Sequence, residues 1–384
     1  MDSSKQYKIA LVLYTDGLDY DDRVRKEILT IRKLYPNVSF KIFAIDLKNR
    51  EESGVTSYGI PYRVPYLKTR EKYGSGTHIL AKAYDFFKTV KGEIKDYDAL
   101  WCADVQSFMF VLLTRKMPIL WDLHELPLQF MGKSYMRILF RYLEKRVKVM
   151  VHANEPRLEY LKSEGLVKQP NKQFVLRNYP DFNEIDSEYD AKYHDFVTWL
   201  GDRKCVYLQG INDETRADVQ SIGAVLQISE LAAVVVGRVY PDRMALLEEK
   251  FGKEVLQKRV FFTGMIKQLK TPQYIRKCVT SLIFYRKTTM NNWFCEPNRL
   301  FQNINNGNPV VVGSNPPMKE LVEKYGVGIC ADTDGSDQSK IVSALETALS
   351  KMDELKSNIN NAKDNWLWGA QDEIVKNIVE SYLS

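Results

Sequence analysis

The clearest indication of the fold is EPNRLFQ at residues 296–302, followed after four intervening residues by GNPVVV at residues 307–312. Pro297 suits the first turn of a helix, where a missing N–H costs no hydrogen bond, and Gly307 suits the left-handed residue that ends one. The apolar run that follows is typical of a buried strand. Free backbone N–H groups and a positive dipole at the start of this helix would lie beside Arg299, a combination that favours an anion such as phosphate.

The composition is typical of a globular protein with two domains. The chain has 384 residues, of which 45% are hydrophobic and 27% are charged, and this length accommodates two domains of ordinary size. No apolar run approaches the roughly 20 residues that span a bilayer, and residues 1–6 show no signal peptide. Five cysteines without a Cys-x-x-Cys pair and only four histidines argue against disulfides and a metal centre. We therefore expect a cytoplasmic protein.

Apolar runs alternate with amphipathic segments along the chain. Strands are predicted at residues 8–13, 38–45, 99–102, 119–121, 149–152 and 175–176, and then at 205–208, 232–236, 260–263, 281–284, 309–312 and 328–331. Helices are predicted between them. This alternation implies two parallel sheets covered by helices on both faces.

Residues 181–199 are polar and show no periodicity, so we place a linker near 182–200. The prediction is an α/β protein with one doubly wound, Rossmann-like domain at 1–182, a second at 200–362 and a C-terminal helix within 363–384. Trp366 and Trp368 are large apolar side chains that should be buried. Ligands of such folds bind outside the carboxyl ends of the strands, so we expect them in a cleft between the domains.

The loop after the first predicted strand contains Gly17 and Asp21-Asp22-Arg23. A glycine here lets the backbone approach a ligand. Gly-x-Gly-x-x-Gly is absent, however, and the four aspartates within residues 16–22 would repel a phosphate. A sugar hydroxyl therefore fits this loop better than a nucleotide.

His124 follows the strand predicted at 119–121, where binding residues collect in such sheets. Its imidazole could donate to a sugar hydroxyl or a phosphate oxygen, and Glu125 could orient it. A structural histidine is an equally good interpretation of this residue alone.

Cationic side chains follow successive predicted strands of the second half, and Gly210 and Gly237 end two of those strands. The cations are Arg216, Arg238, Arg286, Lys287 and Arg299. Each alone would be a solvated surface residue, but together they could neutralise a pyrophosphate. The segment 332–334 (DTD) lies in a turn-rich stretch, and we assign it no metal.

The densest basic segment is 133–148, whose apolar residues recur at helical spacing. The net charge is only +6, and no basic stripe with aromatic readers indicates a nucleic-acid partner. The segment is either a surface helix with solvated charges or a docking face for anionic lipid headgroups.

The succession of motifs resembles glycosyltransferase family 4, the retaining, nucleotide-sugar-dependent enzymes of the GT-B fold. Asp22-Arg23-Val24 resembles the family's early D-x-R-V helix, and Asp122-Leu123-His124-Glu125 resembles its D-x-H-E segment. The further similar motifs are RNYP (177–180), QG (209–210), VG (236–237), FTG (262–264), PNR (297–299) and GNPVV (307–311). The resemblance runs over nearly the whole chain.

This resemblance implies transfer of a sugar from a nucleotide-diphosphate donor on the C-terminal domain to an acceptor on the N-terminal domain. The last helix would return to the N-terminal domain. Basic side chains and helix ends would neutralise the departing pyrophosphate, so no metal or other cofactor is required. His124 would contact the donor sugar near its anomeric centre, and Gly17 would line the same pocket. The residues expected at the acceptor are Asp21, Asp22, Arg23 and Glu125.

The chain departs from the family pattern where the donor should bind. Many members carry two glutamates with seven residues between them, and these positions hold Phe294 and Gln302. Gln302 could still bond ribose hydroxyls, and Glu296 could replace the first carboxylate as a catalytic residue. The Arg and Lys expected after the first strand of the second domain are replaced by Ile211 and Ala217. The donor-binding residues would then be Gly210, Arg216, Gly237, Arg238, Arg286, Lys287, Asn298, Arg299 and Gln302.

Three functions remain open at this point. The leading hypothesis is a glycosyltransferase of the hexosyltransferase kind, which would act at the inner face of the cell membrane on a saccharide or lipid-linked acceptor in surface polysaccharide or glycoconjugate synthesis. A sugar-nucleotide epimerase shares the double Rossmann plan and would act without an acceptor. A non-catalytic partner would retain the fold and bind a nucleotide sugar without turnover, and the departures from the family pattern favour it.

Overall fold

The computed structural model describes residues 5–15, 18, 21–45, 48–74, 77–181, 188–211 and 213–383. The chain folds into two compact units. The first comprises residues 1–178 and 371–384, and the second comprises residues 179–370. Residues 363–370, which we predicted to belong with the C-terminal helix, lie in the second unit because Trp366 is buried in its core. None of the helices in these ranges is both long and apolar enough to cross a membrane.

The elements alternate as predicted. The strands are β1 (Tyr7–Tyr14), β2 (Val38–Ile45), β3 (Glu52–Val55), β4 (Pro61–Val64), β5 (Ala99–Ala103), β6 (Ile119–Leu123), β7 (Val149–His152), β8 (Gln173–Val175), β9 (Lys204–Gln209), β10 (Leu231–Val236), β11 (Val260–Gly264), β12 (Thr280–Ile283), β13 (Val310–Val312) and β14 (Gly328–Cys330). The helices are α1 (Asp22–Leu34), α2 (Lys68–Tyr73), α3 (Ile79–Ile94), α4 (Phe108–Leu113), α5 (Ser134–Arg146), α6 (Glu155–Ser163), α7 (Tyr193–Leu200), α8 (Asp218–Gln227), α9 (Pro241–Phe251), α10 (Lys253–Arg259), α11 (Thr271–Ile275), α12 (Met290–Trp293), α13 (Asn298–Asn305), α14 (Pro316–Tyr325), α15 (Gln338–Ser350), α16 (Met352–Ala362) and α17 (Asp372–Leu383). Every predicted strand is present, with its ends shifted by at most two residues.

The first unit is built on a sheet with the strand order β3-β4-β2-β1-β5-β6-β7-β8. Neighbouring strands are parallel except for the antiparallel pair β3 and β4. This hairpin was not predicted, because β3 is exposed along its whole length and carries no apolar pattern. The strand order reverses between β1 and β5, which makes the carboxyl ends of these two strands the expected ligand position of the unit.

The last helix, α17, packs on the first unit. Lys33 donates a hydrogen bond to Asp372 over 3.0 Å, and the Tyr35 hydroxyl donates to Glu380 over 3.1 Å. The Gln371 amide bonds both the backbone N–H and the carbonyl of Arg177, each at 2.8 Å. The chain therefore ends in the unit in which it begins, as the resemblance implies.

The second unit is built on a parallel sheet with the strand order β11-β10-β9-β12-β13-β14. This is the 3-2-1-4-5-6 order of doubly wound nucleotide-binding sheets, and its reversal lies between β9 and β12. Residues 296–312 form α13, with Pro297 at the N-cap position just before the helix, and then the fully buried β13. Gly307 has a φ of +77°, which explains the glycine after the helix.

The linker prediction is wrong over residues 193–200, which form helix α7. Its buried residues are Tyr193, Phe196 and Leu200, and they pack in one cluster with Tyr207 and Tyr274. The spacing of three and four residues is helical, but the intervening His194, Asp195 and Thr198 make the segment polar on average. The rest of the predicted linker, residues 182–187, lies outside the described residues.

Candidate functional site

Three glycines line the carboxyl ends of adjacent strands in the second unit. Gly210, Gly237 and Gly264 follow or end β9, β10 and β11, with φ values of +60°, +117° and +70°. The N–H of Gly210 donates to the Val236 carbonyl over 2.9 Å, and the N–H of Gly237 donates to the Gly264 carbonyl over 3.0 Å. A Cβ on Gly237 would lie 3.5 Å from the backbone nitrogen of Gly210. These three glycines form an edge of the sheet without side chains, which we call the glycine edge. A ligand can approach the backbone closely there.

Arg299 lies against this glycine edge. Its side chain comes from the first turn of α13 and is only 6% exposed. One terminal nitrogen, Nη1, donates to the Gln209 carbonyl and would lie 3.5 Å from a Cβ on Gly210. The other two guanidinium nitrogens, Nε and Nη2, are buried and have no hydrogen-bond partner in the described part of the chain. A buried charged donor without a partner is costly unless a ligand supplies the acceptor.

Arg216 and Tyr285 complete the surroundings of this guanidinium. Arg216 donates to the Tyr285 hydroxyl over 2.9 Å, and its guanidinium carbon lies 4.3 Å from the centroid of that ring. The guanidinium carbon of Arg299 lies 4.9 Å from the same centroid. Burial lowers the pKa of Arg299, and the positive charge of Arg216 lowers it further. Within the described residues no carboxylate pairs with either arginine, so this pair of cations presents a site for an anion.

The other predicted cations do not join this pair. Arg286 forms an ion pair with Glu214 at 2.6 Å, and the Lys287 ammonium lies 4.4 Å from the ring centroid of Trp293. Arg238 is exposed beyond β10. The structure thus brings together two of the five predicted cations and adds Tyr285, which the sequence analysis did not identify.

The remaining predicted residues of this unit belong to α13 or precede it. Asn298 begins the helix, and Glu296 lies half-buried two residues before it. Gln302 is buried, and none of the described residues hydrogen-bonds its side-chain oxygen Oε1. In the predicted turn at residues 332–334, Asp334 accepts hydrogen bonds from the backbone N–H groups of Lys287 and Ser336.

A second polar cluster lies in the first unit, at the carboxyl end of β6. Asp122 is fully buried and accepts two hydrogen bonds from Arg23, over 2.8 and 3.2 Å. The His124 nitrogen Nε2 lies 3.0 Å from the Asp122 oxygen Oδ2. Arg23 also donates to the Leu176 carbonyl over 2.8 Å and lies 3.0 Å from Glu27 one helical turn along α1.

The charges of this cluster fix the protonation of His124. Burial alone lowers the pKa of the imidazole, but the charge and hydrogen bond of Asp122 raise that pKa to about 9. Burial also disfavours the Asp122 carboxylate, yet Arg23 and His124 hold its pKa well below the usual range. Burial and the Asp122 charge raise the pKa of Glu27 well above its usual value. At neutral pH the cluster therefore holds an ionised Asp122 and an imidazolium at His124.

The predicted acceptor residues are distributed differently around this cluster. Arg23 is 5% exposed, and its bonds to Asp122 make it a support beneath His124 rather than a surface contact. Asp21 caps α1 by accepting from the Val24 N–H over 3.2 Å, and Asp22 pairs with Arg25 and Lys26. Glu125 is exposed, and Asp122 is the carboxylate that contacts His124. Gly17 lies outside the described residues.

The chain was also compared with known proteins and solved structures. No protein-family model and no curated protein sequence matches it. Sucrose-phosphate synthase from Thermosynechococcus elongatus superimposes with a TM-score of 0.75 at 13% identity, over 98% of each chain. Anabaena HepE in complex with UDP-glucose gives a TM-score of 0.72 at 14% identity, over 98% of this chain and all of the other.

WaaG, a glycosyltransferase involved in lipopolysaccharide biosynthesis, gives a TM-score of 0.63 at 13% identity, over 96% of this chain and 99% of the other. These similarities extend over both units and include the 3-2-1-4-5-6 sheet. The chain has the GT-B fold that these glycosyltransferases share, with two Rossmann-like units and a final helix on the first.

Proposed function

We propose that this protein is a glycosyltransferase that moves a sugar from a nucleoside-diphosphate sugar to a saccharide or lipid-linked acceptor. The observation that carries the proposal is Arg299, a buried guanidinium with two unpartnered nitrogens beside a second arginine and a bare glycine edge. A diphosphate satisfies all three features, because it supplies several anionic acceptors and can approach glycine backbone closely. The position at the strand reversal of a doubly wound sheet agrees with this ligand.

The donor is a nucleoside-diphosphate sugar, and UDP is the first nucleotide to test. The matched Anabaena HepE was solved with UDP and with UDP-glucose. Arg216 and Arg299 would stabilise the negative charge that grows on the leaving diphosphate as the bond to the sugar breaks. Their two charges supply this stabilisation without a metal ion. Gln302 and Glu296 would contact the ribose or the sugar beside α13.

The acceptor is assigned to the first unit, with His124 at the reacting sugar. The His124 nitrogen Nε2 is hydrogen-bonded to Asp122, so Nδ1 is the ring nitrogen that can donate to a ligand oxygen. As an imidazolium, His124 can stabilise negative charge on that oxygen. We infer retention of anomeric configuration from the family resemblance.

We also place the protein at the inner face of the cell membrane. Helix α5 carries Tyr135, Ile138 and Tyr142 on its exposed side, with exposures of 62%, 61% and 49%. These residues recur every three or four positions and share the helix with Arg141 and Lys145. An exposed apolar stripe flanked by cations suits an anionic lipid surface.

A thermal-unfolding screen tests the proposal. The full chain is heated with UDP, GDP, ADP, CMP and TDP, and then with sugar conjugates of whichever nucleotide binds. We expect a concentration-dependent rise in Tm with one diphosphate, and a smaller or absent rise in an Arg299→Met variant. No rise with any nucleotide would contradict the proposal.

A non-catalytic partner is the second candidate, and Phe294 is the observation that favours it. This half-buried phenylalanine stands where the family resemblance expects a carboxylate. Such a partner would show the same rise in Tm but would release no nucleoside diphosphate from the sugar conjugate. Measuring that release after the screen separates the two candidates.

A further inference from the structure

Asp104 occupies the ligand position of the first unit. It directly follows β5, and the strand order of the sheet reverses between β5 and β1. Ligands of doubly wound sheets bind at this reversal, outside the carboxyl ends of the strands. The neighbouring strand β6 ends at the same edge and leads into His124.

The backbone of Asp104 is held in a conformation that favours glycine. Its φ is +59° and its ψ is 168°, a region that side chains with a Cβ rarely enter. Three hydrogen bonds fix it there. Its N–H donates to the Asp122 carbonyl over 2.7 Å, and its carbonyl accepts from the Trp121 indole over 3.0 Å and the Ser107 hydroxyl over 2.6 Å. An aspartate in this conformation is unfavourable for the fold, so a function must account for the side chain.

The Asp104 side chain ends in an acceptor that the protein leaves unused. Its oxygen Oδ1 is buried and has no hydrogen-bond partner among the residues that the structure describes. The same carboxylate lies close enough to His124 to raise the pKa of that imidazole. A buried carboxylate oxygen without a donor is unfavourable, and a ligand donor would remove that penalty. The positive charge of His124 disfavours a cationic ligand here, so the fitting donor is a neutral hydroxyl.

We propose that Asp104 is a binding residue for the saccharide acceptor and accepts a hydrogen bond from one of its hydroxyl groups beside His124. This inference rests on the proposed function and adds to it the residue that holds the acceptor. Asp104 and His124 together offer one acceptor and one donor, the pairing that adjacent hydroxyls of a sugar ring require.

Stability measurements separate a binding residue from a structural one. Asp104→Gly should raise the midpoint of thermal unfolding, because glycine accepts the backbone conformation and removes the buried carboxylate. Asp96→Gly is the matched control, since Asp96 is an exposed aspartate before the other end of β5, and it should leave the midpoint unchanged or lower it. A lower midpoint for Asp104→Gly would overturn the proposal, because it would make the side chain structural.

Saturation-transfer NMR with the methyl glycosides of glucose, galactose, mannose and N-acetylglucosamine tests the ligand. We expect the full chain to bind at least one glycoside, with at least a tenfold loss of affinity in Asp104→Asn and none in Asp96→Asn. Equal affinity in Asp104→Asn, or no binding of any glycoside by the unaltered chain, would overturn the assignment. The thermal response to UDP is recorded on the same samples. If the unaltered chain shows no thermal response to UDP, the proposed function itself fails. If Asp104→Asn keeps the thermal response to UDP, the substitution affects binding of the acceptor only.

Discussion

Replacing Arg299 by methionine should stabilise the free protein and impair nucleotide binding at the same time. Methionine keeps most of the volume and removes a buried cation that no carboxylate of the described residues pairs with. The loss of the Gln209 bond and of the Tyr285 ring contact offsets part of this gain. Removing an unpaired buried charge outweighs these two contacts, and we expect a net stabilisation of about 1 kcal/mol.

The effect on UDP has the opposite sign. Two free guanidinium nitrogens would each make a charged hydrogen bond to the diphosphate, at about 1.5–3 kcal/mol apiece. Arg216 and water can replace some of these hydrogen bonds to the diphosphate. The expected loss of binding free energy is therefore about 3 kcal/mol, or a rise of roughly 150-fold in Kd. Isothermal titration calorimetry measures the affinity, and urea unfolding without nucleotide measures the stability.

Arg259 provides the matched control for this experiment. Its guanidinium is half-buried, but it donates to the carbonyls of Leu226, Ile228 and Leu231. Arg259→Met should therefore destabilise the protein and leave the Kd for UDP unchanged. Lower stability and unaltered UDP affinity in Arg299→Met, as in the control, would show that Arg299 is a structural residue and not a ligand for the diphosphate.

Three further results are expected. The pKa of His124 is about 9 in the folded protein, above the ordinary 6.5. Protonated His124 therefore contributes fully to stability below pH 6.5, and this contribution is lost as pH rises through 9. Urea unfolding should show a loss of about 3 kcal/mol over this range, and the free energy of unfolding of His124→Gln should depend less on pH. Gly210→Ala should cost about 1 kcal/mol of stability, because the φ of Gly210 is +60°. It should also reduce the UDP-induced rise in Tm. Differential scanning fluorimetry measures the Tm with and without UDP. Ile138→Ser should reduce co-sedimentation with phosphatidylserine vesicles, whereas Tyr240→Ser, at an exposed residue of the second unit, should not.

The sequence predicted the strands well because parallel strands are buried on both faces and are therefore continuously apolar. The run Val310–Val312 is an example, since all three side chains are fully buried. The two elements that the sequence did not predict are stabilised by packing or pairing with other elements, and their own sequences show no clear periodicity of apolar residues. Helix α7 alternates polar and buried residues, and β3 is an exposed strand that is held by pairing with β4.

The sequence located candidate residues at the ends of strands and helices but did not indicate all of their neighbours. Arg299 and His124 were selected as candidates because Arg299 opens a predicted helix and His124 follows a predicted strand. Tyr285 was not, because an aromatic residue after a buried strand is usually part of the core, and only the structure shows two guanidinium groups against its ring. Asp122 was quoted only as part of a motif. A charged residue inside the apolar strand β6 is the signal that it has a buried partner, and Arg23 is that partner.

The most direct test of the proposed function is ³¹P NMR of a nucleotide sugar during incubation with the full chain and a mixture of methyl glycosides. UDP-glucose is the first substrate, followed by the sugar conjugate of any other diphosphate that raises Tm. We expect the two resonances of the sugar diphosphate to be replaced by those of the free nucleoside diphosphate, and we expect Arg299→Met to slow this conversion. Resonances of the sugar diphosphate that persist throughout, with every conjugate, would contradict the assignment of a sugar transferase.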